Sequence, residues 1–135
     1  MRLGIVSDLH CNAAGLAKAL ALMGDVDELL CLGDSIWEYR FSNEVVRLLQ
    51  QRDARVILGN HEEGFFGPQG ARARAREGID AELADWLAER PHRIELETAG
   101  KRLLLVQLLG PGRPSCTASP RAVDSAYPYR SRPLR

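Results

Sequence analysis

A chain of 135 residues, 45% hydrophobic and 27% charged, can bury one core of moderate size, so a single domain is expected. Its 18 Lys and Arg balance 18 Asp and Glu, which leaves no net field to draw it onto nucleic acid or an anionic membrane. No apolar run approaches the roughly 20 residues of a membrane span, and no signal-peptide pattern precedes the first strand-like segment, so a cytoplasmic protein is expected.

Residues 3–7 (LGIVS) form an apolar run ending at Asp8, as in a strand buried on both faces. Leu16, Ala19, Leu20 and Met23 then repeat at helical spacing, between Asn12 as N-cap and Gly24 as stop. The alternation recurs. Residues 28–32 (ELLCL) read as a second strand before Gly33-Asp34, and residues 43–51 as a helix begun by Ser42 or Asn43. A third strand over 55–58 ends at Gly59-Asn60-His61. Strands alternating with helices imply crossovers onto a parallel sheet and an α/β layered domain. All three polar clusters then fall at carboxyl ends of strands, where open α/β sheets bind ligands.

Residues 64–78 read as a Gly-, Ala- and Arg-rich connection, followed by an amphipathic helix over 79–89 with Leu83, Trp86 and Leu87 inward. Residues 92–98 and 102–109 read as a hairpin turning at Ala99-Gly100. From Gly110 the chain holds Pro111, Pro114, Pro120, Pro128 and Pro133 with Asp124 as its acidic residue, and no period survives. That is the composition of a disordered tail, or of coding sequence in a shifted frame. The expected organisation is a domain over 1–109 and such a tail over 110–135.

The chemistry lies in three loops. Asp8 and His10 are two residues apart, so an extended backbone points both the same way. Asp34 adds a carboxylate able to bridge two ions, Asn60 a neutral amide oxygen, and His61 a proton donor. Hard oxygen ligands, imidazole and an acid are the ingredients of a two-metal hydrolytic centre. Taken singly, each residue reads as ordinary turn chemistry, and only their coincidence on one edge favours the site. Cys11, Cys31 and Cys116 form no CxxC pair and read as incidental thiols, and a hard site has no need of Cys11. His92 reads as structural, Trp86 as core, and the basic run 71–76 as a solvated helix face.

Asp8-x-His10, Gly33-Asp34 and Gly59-Asn60-His61-Glu62, in that order and each after a strand, resemble the first three signature blocks of the calcineurin-like metallophosphoesterases. The opening MRLGIVSDLHCN and the stretch LGDSIWEYRFSNEVVRLL resemble the small bacterial YfcE-type phosphodiesterases, with the likeness covering about residues 1–106. The resemblance implies a layered sandwich, of which this chain carries a parallel βαβαβ half and an incomplete second sheet. It implies that Asp8 and His10 bind a first metal, Asp34 bridges to a second, Asn60 binds the second and contacts phosphate, and His61 contacts phosphate as general acid. Substrates would be small phosphate mono- or diesters, and the ions Mn²⁺, with Zn²⁺, Fe²⁺ or Ni²⁺ as alternatives. GDSIWEY in place of an Asp-Arg-Gly continuation disfavours the protein phosphatase branch.

The chain departs from the family after Val106. Gln107 stands where the resemblance calls for a histidine, and no histidine follows His92. The first site keeps Asp8, His10 and Asp34, but the second keeps Asp34 and Asn60 alone, so a weak second site and reduced activity are expected. A non-catalytic protein-binding scaffold of the same fold is the alternative function. No nucleic-acid or membrane partner is expected, and an exposed sheet edge offers a surface for a second copy.

Overall fold

Residues 1–107 are described by a computed structural model in which strands and helices alternate as expected. β1 (Leu3–Val6), β2 (Glu28–Cys31) and β3 (Arg55–Val56) form a parallel sheet in the order β1-β2-β3, with α1 (Ala13–Met23) and α2 (Asn43–Gln51) connecting them. Val6 pairs with Cys31, and Cys31 with Val56, so the strands end level and deliver their following loops to one edge. The helix ends are set by local chemistry. Asn12 accepts the Gly15 N–H at 2.9 Å to start α1, Gly24 at φ +64° stops it, and Ser42 accepts the Val45 N–H at 3.2 Å to start α2.

Alternation along the strands gives the sheet two covered faces. Val6, Leu29, Cys31 and Val56 pack with Leu16 and Leu20 of α1 and Val45, Val46 and Leu49 of α2. Leu30 and Ile57 pack instead with Leu105, Ile94, Leu96 and Leu103. Those last four belong to β4 (Arg93–Thr98) and β5 (Lys101–Val106), an antiparallel hairpin lying over the second face. Each large side chain so buried contributes roughly 1.5–3 kcal/mol, which offsets the ordering of the backbone. The result is the α/β layered class expected, with a second sheet of two strands among the described residues.

Four details differ from the sequence reading. β1 is not buried on both faces: Ile5, on this edge strand, is 53% exposed. The stretch 64–78 is not a plain connection. It holds the end of α3 (Asn60–Phe66), a 3-10 turn over Pro68–Gly70, and the single turn α4 (Ala71–Arg74). Gly64, Gly67 and Gly70 are there for close packing, since a Cβ on Gly70 would lie 1.9 Å from the Phe65 carbonyl oxygen. Nor is the basic run only a solvated face: the Arg74 guanidinium donates to the carbonyls of Gly67, at 2.7 Å, and Phe65. Finally, His92 has a partner across the chain, with Nδ1 3.3 Å from Glu63 Oε1.

α5 (Ala81–Ala88) starts at Asp80, which accepts from Glu82 and Leu83, and Trp86 is partly buried against the main core with the Arg90 guanidinium 4.6 Å from its ring centroid. Leu108, Leu109 and the tail from Gly110 lie outside the described residues. No helix among the described residues is long and apolar enough to cross a membrane.

The hairpin turns where expected, with Ala99 at φ +49° and Gly100 at φ +70°. Positive φ at both central residues is the type I′ geometry that favours Asn-Gly, and an alanine pays a steric cost there. Ala99→Asn is therefore expected to stabilise the fold by roughly 0.5–1 kcal/mol, read as a higher urea midpoint. An unchanged or lower midpoint would contradict the turn assignment.

Candidate metal centre

The loop after β1 does not leave the sheet in extended form, as the spacing of Asp8 and His10 suggested. Asp8, His10 and Cys11 adopt φ of +54°, +47° and +64°, and Asp34 in the loop after β2 adopts +54°. Such left-handed conformations cost energy in residues with a Cβ and persist where surrounding bonds over-determine them. Here the bonds run between the two loops. The N–H groups of Asp8, His10 and Cys11 donate to the carbonyls of Gly33, Asp34 and Ser35 at 3.1, 3.0 and 3.0 Å. The Cys11 thiol donates to the Arg40 carbonyl at 3.3 Å, so Cys11 ties loops together. Cys31 is fully buried in β2, and burial pushes its thiol up to about 12, which keeps it protonated and outside metal chemistry.

The third loop closes on the second through Gly33 and Gly59. A Cβ on Gly33 would lie 2.9 Å from Gly59 Cα, and one on Gly59 would lie 2.3 Å from Asp34 Oδ1. No larger residue fits at either position without moving backbone or the Asp34 carboxylate. Asn60 and His61 do not sit in a simple turn but open α3, with Gly59 as its N-cap. The Asp34 Oδ1 accepts the His61 N–H at 3.0 Å, which fixes that helix to the second loop.

Glu62 was quoted in the motif but given no task by sequence reasoning. It is fully buried, and its two oxygens accept from five donors: the N–H groups of Asp34 (2.9 Å), Ser35 (2.7 Å), Ile36 (3.4 Å) and Gly59 (2.9 Å), and the Ser35 hydroxyl (2.6 Å). A readable signal existed. Glu at the third position of a helix, reaching back to the N-cap N–H, is half of a capping box, but it is visible only once α3 itself is recognised. Gln107 was read as a missing ligand, and the structure gives it another role. Its Oε1 accepts the Asn60 N–H at 2.8 Å, joining the end of β5 to the third loop.

These constraints bring four of the five sequence-predicted side chains together. His10 Nε2 lies 3.8 Å from Asp34 Oδ2 and 3.9 Å from Asp8 Oδ1, and one ligand atom each from His10, Asp34 and His61 lies within 4.8 Å of the others. Asp34 is 4% exposed, whereas the Asp8 side chain is 59% exposed. Asn60 is placed beside them by its backbone, at the start of α3.

The group fits a metal ion on two counts. His10 Nε2 and His61 Nδ1 are buried without a hydrogen-bond partner, a costly condition for polar atoms unless something binds them. The separations of 3.8 and 3.9 Å around His10 are too long for hydrogen bonds, yet lie within the ~4.4 Å that two ligands of one ion can span at roughly 2.0–2.2 Å each.

Residues 1–126 match the calcineurin-like phosphoesterase superfamily domain. The chain belongs to this superfamily. The match runs past Val106, where the likeness carried by the motifs stops. Calcineurin-like phosphoesterases are generally dependent on divalent metals, in keeping with the His10, Asp34 and His61 group. A metallophosphoesterase from Sphaerobacter thermophilus superposes with a TM-score of 0.57 at 27% identity, over 70% of this chain and 42% of that one. A candidate diadenosine tetraphosphatase superposes with a TM-score of 0.50 at 27% identity, over 68% and 44% respectively. An uncharacterised protein of Methanocaldococcus jannaschii is 28% identical over 69 residues, 50% of this chain and 28% of its own length. The chain thus spans less than half the length of each of these relatives.

Proposed function

We propose that this chain is a metal-dependent phosphoesterase that hydrolyses small phosphate mono- or diesters with Mn²⁺ as its ion, in the cytoplasm, through a unit formed by residues 1–109. The observation that carries the reading is the pair of buried, unpartnered imidazole nitrogens, His10 Nε2 and His61 Nδ1, beside the Asp34 carboxylate in a calcineurin-like phosphoesterase. Asp8, His10 and Asp34 would hold a first ion, and Asp34 with Asn60 a second, weaker one. Bound ions supply Lewis acidity and lower the pKa of water.

The chain's own residues do the rest. Asp34 accepts the His61 backbone N–H and so ties the start of α3 to the second loop, with its other oxygen 3.8 Å from His10 Nε2. Asn60 offers its amide to a phosphate oxygen. His61 would hand a proton to the oxygen of the departing alcohol. With two protein groups at the second site, hydrolysis is slow.

The test compares leaving groups in the presence of Mn²⁺. With bis-p-nitrophenyl phosphate, whose leaving group needs little protonation, His61→Ala lowers kcat about tenfold or less. With an alkyl ester the same change costs about 10²–10⁴-fold, the usual worth of a general acid. Equal losses on both would make His61 a ligand and not the acid. No hydrolysis of either by the unaltered chain, together with no Mn²⁺ uptake, would favour the scaffold reading.

A further inference from the structure

Trp37 sits three residues after Asp34 in the loop after β2, and the proposed chemistry gives it no task. Its ring stacks on His10 with centroids 4.4 Å apart and planes inclined by 23°, and it meets His61 edge-on at 4.6 Å and 80°. The two histidine centroids are 5.0 Å apart. Three nearly equal separations put His61 beside the His10–Trp37 stack and not beyond it, so neither histidine covers the Trp37 face that points away from His10. Trp37 remains 40% exposed, as a ring with one covered face should.

The backbone that carries the ring is also held firmly. Trp37 and Arg40 exchange backbone hydrogen bonds of 3.1 and 3.3 Å, the Arg40 carbonyl accepts the Cys11 thiol at 3.3 Å, and Ile36 immediately before is fully buried. An exposed indole fixed in place beside a phosphate-binding group loses little freedom when a flat ligand covers it, so stacking there is retained almost fully as affinity. Nothing in core packing requires a tryptophan here, since the main core closes without it.

We propose that Trp37 is a stacking platform for the flat aromatic group of a phosphate ester, which makes nucleotides and aryl phosphates the preferred substrate class of this site. The phosphate lies at His10, Asp34 and His61, and the aromatic group lies on the free face of Trp37, one ring further out. The inference rests on the phosphoesterase reading above.

Equilibrium binding of AMP, p-nitrophenyl phosphate and ribose 5-phosphate to the Mn²⁺-loaded chain tests it. Calorimetry gives the affinities, and fluorescence in a Trp86→Phe background reports Trp37 directly, because the chain has two tryptophans. AMP is expected to bind about tenfold or more tighter than ribose 5-phosphate and to quench Trp37, in line with stacking of a base on an aromatic side chain. Trp37→Ala removes that preference while leaving ribose 5-phosphate and Mn²⁺ affinities unchanged, and Trp37→Phe keeps most of it. A preference for AMP alone supports a nucleobase as the source of the ring, and one for p-nitrophenyl phosphate alone supports an aryl group. Equal binding of all three by the unaltered chain overturns the platform while leaving the phosphoesterase reading intact. So does a Trp37→Ala variant that weakens every ligand and Mn²⁺ alike, which would make Trp37 a support for His10. Failure of both Mn²⁺ and ribose 5-phosphate to bind overturns the phosphoesterase reading, and the platform with it.

Discussion

Asp34→Ala is expected to lower Mn²⁺ affinity by at least about 100-fold and to bring hydrolysis down by about 10³-fold or more, to background. The magnitude follows from how many tasks meet in one carboxylate. Its Oδ2 lies 3.8 Å from His10 Nε2 as part of the ligand group, while its Oδ1 accepts the His61 N–H at 3.0 Å. Loss of a partner that only orients a ligand costs about 10–100-fold in metal affinity, so loss of the ligand itself should cost more. Ion-derived charge stabilisation is worth several kcal/mol of the barrier, hence the rate effect. Asp34→Asn separates structure from chemistry. It keeps an oxygen for the His61 N–H and tolerates φ +54° better than alanine, but it removes the charge. An Asn variant that folds normally and has lost Mn²⁺ assigns the effect to the carboxylate; calorimetry showing unaltered Mn²⁺ binding in both variants would refute the assignment.

What could be read in advance divides along a physical line. The order β1-α1-β2-α2-β3 was legible because each element carries a local signal: Asn12, Ser42 and Gly24 at helix ends, and apolar runs that stop at Asp8 and just before Gly33-Asp34. The edge holding the site followed from topology alone, since parallel strands that end level present their loops together. Contacts between loops were not legible. That Asp8 and His10 converge through a left-handed coil depends on carbonyls of Gly33, Asp34 and Ser35, more than twenty residues away. The exposure of Trp37 depends on where His10 and His61 stand in space. α3 was missed for a related reason: residues 64–78 read as a Gly-rich connection, whereas a Cβ on Gly64 would lie 2.8 Å from Glu38 Cβ, so its glycine answers to packing. Gln107 shows the same limit from the other direction, because its residue type announced a lost imidazole but not the hydrogen bond it makes to Asn60.

Glu62→Ala is expected to destabilise the fold by roughly 3–5 kcal/mol, more than any other single change away from the apolar core. The alanine leaves the N–H groups of Asp34, Ser35, Ile36 and Gly59 and the Ser35 hydroxyl without their acceptor, in a place where Ser35 and Glu62 are both fully buried. Each buried donor left unsatisfied costs about 1–3 kcal/mol, and partial relaxation or entry of water keeps the total below a simple sum. A domain stabilised by about 5–15 kcal/mol loses much of its margin, so the urea midpoint falls sharply and the variant accumulates poorly on expression. The milder Glu62→Gln keeps one acceptor oxygen but turns an NH₂ toward donors, so it should fold with a smaller loss. Its diagnostic readout is the metal. Asp34 and Gly59 hang on the same carboxylate oxygen, Oε2, and His61 hangs on Asp34, so displacement of either loop spreads the ligand group. A folded Glu62→Gln protein should therefore bind Mn²⁺ about 10–100-fold more weakly, the range for a group that positions ligands without touching the ion. If Glu62→Gln unfolds at the same urea concentration as the unaltered chain and binds Mn²⁺ equally well, the carboxylate does not hold these loops.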